Sequence, residues 1–140
     1  MIFVIRIREK TLGERIKYTN NINADYFISI HADGDYNPKE SGSHTIYREK
    51  AGDLDYNKIS KEFATDIFSK YTIISKHNSP KKDIRGLQVL SAVSNKTKRK
   101  VLIELGYMTN TSDYNLMSIN TDKIAAEIFE GLTININKHF

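Results

Sequence analysis

Apolar positions along the chain fall into blocks whose spacing changes from two to nearly four residues. Residues 2–7 are apolar apart from Arg6 and mostly β-branched, and read as a strand. Leu12, Ile16, Thr19 and Asn23 recur at helical spacing and predict a short helix. Residues 26–30 form a nearly continuous apolar run, the pattern of a strand covered on both faces. Residues 45–47 give a weaker strand, after a loop marked by Gly34, Asn37, Pro38 and Gly42. Between residues 54 and 71, Ile59, Phe63, Ile67 and Tyr71 repeat at helical spacing with Ala64 and Phe68 beside them. An irregular stretch with Asn78, Ser79, Pro80 and Gly86 leads to a short ordered segment at residues 87–93. Residues 101–105 predict a third buried strand, and a last helix is expected from Thr121 or Asp122, with Ile124, Ala125, Ile128, Phe129 and Leu132 facing inward. Strands alternating with helices argue for an α/β layer fold whose sheet is mostly parallel.

Where the strand runs stop is the informative feature. The run 27–30 ends in His31, and the run 101–103 ends in Glu104. In open α/β sheets ligands sit outside the carboxyl ends of the strands. Two adjacent parallel strands would bring this imidazole and this carboxylate to one edge. The pair suits metal-assisted hydrolysis, in which zinc acidifies a water and a carboxylate takes its proton. It equally suits a hydrogen-bonded histidine and a glutamate paired with a neighbouring cation.

Composition narrows the field. The chain has 140 residues, one domain's worth, with 39% hydrophobic and 27% charged positions, too apolar for a disordered protein. There is no cysteine, which removes disulfide scaffolds, thiolate zinc sites and cysteine nucleophiles. A net charge of +4 favours an anionic partner without naming one. No apolar run approaches the roughly 20 residues of a membrane span, and no signal peptide is visible at the start. Between Lys76 and Lys100, eight basic residues face the single Asp83. That stretch carries no recognition motif and no interleaved aromatic surface, so solvated loops are expected rather than a nucleic-acid site.

The segments NADYFISIHAD (residues 23–33) and KVLIELGYMTNTSDYNLM (residues 100–117) resemble the two signature blocks of the zinc-dependent N-acetylmuramoyl-L-alanine amidases of the amidase-3 type. The likeness extends to Leu12 and Arg15, to residues 42–47, and to Arg85, Gly86 and Leu87. The resemblance implies a phosphorylase/hydrolase-like fold, with three layers and a twisted, mostly parallel sheet between helices. It implies cleavage of the amide between N-acetylmuramic acid and L-alanine in peptidoglycan, at the cell envelope or outside the cell. His31 then matches a zinc ligand and Glu104 the catalytic carboxylate, while Asn110 and Asp113 match positions near the site and are expected to form a turn and a cap. The family's other two ligands are a histidine in an Asp-Pro-Gly-His-Gly-Gly type block and a glutamate on the following helix. Neither has a counterpart here, so the chain is expected to begin at the family's second strand. It is then expected to leave an edge that a partner chain or second copy covers. His44, His77, His139, Glu9 and Glu14 are the candidates to replace the missing ligands, and an inactive, wall-binding relic is the alternative to an enzyme.

Overall fold

The computed structural model describes residues 4–140. Four strands, β1 (Tyr26–Asp33), β2 (His44–Tyr47), β3 (Lys81–Lys82) and β4 (Arg99–Tyr107), form one sheet in the order β1-β4-β2-β3. β1 pairs with β4 and β2 with β3 in parallel, while β2 runs antiparallel to β4. The sheet is therefore mixed, with parallel pairing predominant. The helices are α1 (Leu12–Asn21), α2 (Leu54–Asp66), α3 (Thr111–Ile119) and α4 (Thr121–His139), with a one-turn 3-10 helix at Gln88–Leu90. Among the described residues no helix is long and apolar enough to cross a membrane.

Alternation along the strands divides the core in two. On one face Val101 and Ile103 of β4 and Tyr47 of β2 pack against Phe63, Ala64 and Ile67 and against Ile124 and Ile128 of α4. On the other, Leu102 and Ile46 meet Ile16 of α1 and Val89 and Leu90, with Phe27 alongside. Helices thus cover both faces, as the expected three-layer architecture requires. The close approach of α4 to the end of α2 needs Gly131, because a Cβ there would stand 2.2 Å from the Ile67 carbonyl oxygen. Local chemistry sets the helix starts. Thr11 and Glu14 form a capping box on α1, and Asp53 accepts from the Tyr56 N–H to cap α2.

Four expectations need correction. On α4, Ile124, Ile128 and Leu132 meet the core as expected, but Ala125 and Phe129 are exposed, Phe129 by 50%. Residues 2–7 are not a strand where they are described: residues 4–10 have no regular structure, and Val4 and Ile5 are exposed, while Ile2 and Phe3 lie outside the described residues. An extended segment with no ladder partner has nothing to hold it as a strand. β1 is covered on both faces only along its first half, with Tyr26 and Ile28 against one cluster and Phe27 against the other; it is an edge strand of the sheet, and Ile30 is 59% exposed. The helix from Leu54 stops at Asp66, where Ile67 to Lys70 turn, although Phe68 and Tyr71 stay in the core with stacked rings 4.3 Å apart.

Candidate functional site

The sheet brings three ionisable side chains into one row. His31 and Glu104 are register partners on the parallel pair β1–β4, and His44 and Glu104 are partners on the antiparallel pair β2–β4. Partners across a ladder project to the same face. That face is the one carrying Leu102, Ile46 and Phe27, under α1. His31 therefore stands on the edge strand, Glu104 in the middle, and His44 beyond it.

Their environments differ. His31 is exposed, and its Nε2 lies 2.9 Å from the Ser29 hydroxyl. Partial burial, with the Arg15 guanidinium from α1, holds its pKa below the ordinary imidazole value. Glu104 is 7% exposed, and its Oε2 has no hydrogen-bond partner. Burial, reinforced by the Asp33 carboxylate and opposed by Arg85 and Lys81, pushes its pKa up to about 7. His44 is buried, and burial together with Lys81 takes its pKa down to about 4, against the pull of Asp33, whose Oδ2 is 3.9 Å from Nε2. Near neutral pH the row is thus two uncharged imidazoles flanking a carboxyl able to gain or lose a proton.

Asp33 enters this group through a fault in the ladder. The register slips between His31 and Asp33, which pairs with Tyr107. Bulges of this kind re-aim a side chain beside a site. Its main-chain oxygen accepts from the Met108 N–H at 2.7 Å, tying the ends of β1 and β4 together. Asn110 and Asp113 stabilise the same end. Asn110 caps α3 by accepting from the Asp113 N–H, and its amide donates to the Pro38 carbonyl. The Asp113 carboxylate accepts from the Ser41 hydroxyl at 2.7 Å and from the Gly42 and Tyr107 N–H groups. This fastens the strand leading to His44 onto the end of β4.

Three of the other candidate ligands lie elsewhere. Glu14 is spent on the α1 cap. The main-chain N–H of His77 donates to the Ser43 carbonyl, while the His139 imidazole pairs with Glu62. Glu9 lies in the irregular segment before α1. Only His44 is a register partner of Glu104, and His77 lies near enough to His44 to lower its pKa. Among the described residues no three histidine or carboxylate side chains converge as a metal-holding group. Catalytic zinc takes three protein ligands. The donor set described here therefore does not fit that ion by itself.

Sequence reasoning paired His31 with Glu104 but did not place His44 against Glu104, and it missed Asp33, Lys81 and Arg85. Parity offered a signal for one of them: Lys81 is the register partner of Ile46 and so shares its face.

The profile described as N-acetylmuramoyl-L-alanine amidase (Amidase_3) matches residues 3–134. The germination-specific N-acetylmuramoyl-L-alanine amidase of Bacillus subtilis (strain 168) is 27% identical over 129 residues, which make up 91% of this chain and 51% of the relative. The chain thus spans about half the length of that curated relative. An N-acetylmuramoyl-L-alanine amidase structure from Clostridium difficile 630 superposes with a TM-score of 0.73 at 23% identity, over 94% of this chain and 68% of that one. The catalytic domain of the CD27L endolysin targeting Clostridia difficile gives a TM-score of 0.65 at 28% identity, over 89% and 64%. The fold is that of amidase catalytic domains, and the profile match over most of its length makes this chain a member of the Amidase_3 family of N-acetylmuramoyl-L-alanine amidases.

Proposed function

We propose that this chain acts on peptidoglycan at the amide between N-acetylmuramic acid and L-alanine, with Glu104 as the group that moves the proton. The observation that carries this reading is the buried carboxyl of Glu104, with one oxygen unpartnered and a pKa near neutrality, beside His31 on a parallel neighbour. A general base works best when its pKa lies near the working pH. Ionised Glu104 would take a proton from an attacking water, and protonated Glu104 would return it to the departing alanine nitrogen. His31 would stand at the edge of the same row, its Nε2 held by Ser29. By family resemblance His31 is the zinc ligand of the site. Because the described residues offer no three-donor group, no step here is routed through the metal. The same fact favours a second reading, a wall-binding module that recognises this amide without cleaving it. A cell-envelope or extracellular setting goes with either reading. A partner chain or second copy pairing with the sheet would meet it at β1, the edge strand that carries His31.

The deciding experiment incubates the zinc-supplemented chain with purified muropeptides and follows new alanine amino termini. Release that is lost, by about a hundredfold or more, in Glu104→Gln supports the enzyme. Binding of muropeptides with no release supports the second reading. Neither release nor binding overturns both.

A further inference from the structure

The face that carries His31, Glu104 and His44 also carries two cations that the row does not use. Lys81, as partner of Ile46 on β2, projects from this face, two strand positions from His44. Arg85 reaches it through a braced loop. The Asp83 N–H donates to the Tyr47 carbonyl at 2.7 Å. The Asp83 side chain is fully buried; one carboxylate oxygen accepts from the Arg85 N–H at 2.9 Å and the other from the Leu87 N–H at 2.8 Å. Gly86 turns the chain at φ +74°, and Leu87 packs into the cluster of Ile46, Leu102, Val89 and Leu90. The backbone of Arg85 is thus fixed on both sides while its side chain stays exposed.

The charges around this loop are disposed unequally. Lys82 pairs with Glu49 at 2.5 Å, and the Asp83 charge is met by Arg48 at 4.0 Å. Among the described residues Lys81 and Arg85 make no salt bridge. Both are near enough to Glu104 and His44 to lower the proton affinity of each. A buried carboxylate that organises a loop to present an arginine, beside a free lysine, makes a compact anion receptor. Guanidinium binds carboxylate through two parallel N–H···O bonds, and a neighbouring ammonium adds a point charge.

We propose that Arg85, held by Asp83 and helped by Lys81, binds a free carboxylate on the peptide attached beyond the muramoyl-alanine amide. The chain therefore selects acidic stem peptides over amidated ones. This rests on the proposed peptidoglycan reading and deepens it. One guanidinium and one ammonium match a single carboxylate better than a polyanion, which would need a longer basic track.

Calorimetric titration of the full chain tests this with N-acetylmuramoyl-L-alanyl-D-glutamic acid and its diamide, which carries no carboxylate. The acid is expected to bind about tenfold more tightly at low salt, and the preference should shrink as salt rises. Arg85→Gln should cut the preference to below about threefold, and Lys81→Gln should reduce it less. The Arg85 side chain is exposed and only its backbone is braced, so the variant is expected to fold, and its circular dichroism spectrum checks this. Equal affinity for acid and diamide overturns the inference and leaves the peptidoglycan reading standing. An acid preference that survives in the Arg85→Gln/Lys81→Gln double variant also overturns it. Binding to neither ligand overturns both. Displacement of the acid by duplex DNA at equal concentration overturns it in favour of a general polyanion surface.

Discussion

Strand β4 carries a buried charge near each end, and the two are treated in opposite ways. Lys100 and Glu104 lie four residues apart, so by alternation they leave the strand toward the same face, with Leu102 between them. Lys100 is 1% exposed, and its ammonium donates to the Asn95 carbonyl at 3.0 Å and the Thr97 carbonyl at 2.6 Å, 4.8 Å from the centre of the Tyr56 ring. Glu104 is nearly as buried, yet one of its oxygens has no partner. At the amino end the charge is absorbed into structure, folding the 95–97 loop around itself. At the carboxyl end it is left short of partners, which keeps its proton exchangeable. A polar group retained inside a protein without partners costs stability, and such sites are where function is found.

Removing Lys100 gives the largest expected effect. Lys100→Ala deletes the buried stem and leaves two carbonyls without a donor, an expected loss of about 4 kcal/mol. Lys100→Met keeps the stem and should lose about 2 kcal/mol. Urea unfolding measures both. A loss below about 1 kcal/mol in Lys100→Ala would mean that water replaces the ammonium and that the amino end is no more structural than the other.

The carboxyl end should respond to pH instead, through two groups that oppose each other. Glu104 titrates near 4.5 when unfolded and at about 7 when folded, so between these values the folded chain holds a proton that the unfolded chain has released. Its contribution is present below pH 4.5 and fades as pH rises to 7. His44 titrates near 6.5 unfolded and at about 4 folded, so its contribution is present above pH 6.5 and fades as pH falls to 4. Each is worth at most about 3 kcal/mol, and over pH 4.5 to 6.5 their slopes cancel. His31, also held below its ordinary value, adds in the direction of His44. The expected result in metal-free buffer is a nearly flat stability profile for the native chain. Glu104→Gln should leave stability that rises with pH, and His44→Gln stability that falls. Identical slopes in the two variants would mean that the row does not titrate as neighbours.

How much of this could be read in the letters depends on how local the cause is. β1 and β4 announce themselves because an apolar run needs no partner to be recognised. His31 and Glu104 then follow from where the runs end. The apolar start of the chain misleads for the same reason: residues 4–7 have the composition of a strand but pair with no strand among the described residues. β3 is two lysines, given strand geometry only by β2 alongside. α3 buries chiefly Asp113, so it lacks the apolar stripe that marks a helix. His44 meets Glu104 through antiparallel pairing between segments some sixty residues apart, a register no local pattern encodes. The basic run from Lys76 to Lys100 read as solvated loops, yet Lys100 is core, Lys82 is paired and Arg99 is stacked. Charge counts do not reveal which cations fold inward.

Arg99 supplies the smallest and finest test of the contrast. Its guanidinium carbon lies 5.7 Å from the Tyr26 ring centre and 5.4 Å from that of Phe140, at the amino end of β4. Two cation–π contacts, one against the exposed Phe140, are together worth about 1 kcal/mol. Its Nε is buried without a partner, so the side chain also pays a desolvation cost that an apolar replacement avoids. Arg99→Met keeps the stem between the rings, removes both terms, and should change stability by less than about 1 kcal/mol. Arg99→Met and Lys100→Met should then add independently, because Lys100 acts on the 95–97 carbonyls and Arg99 on the rings. A double variant that loses much more than the two single losses combined would mean that the two cations hold the amino end as one unit, and the division of labour along β4 would be sharper than the single contacts suggest.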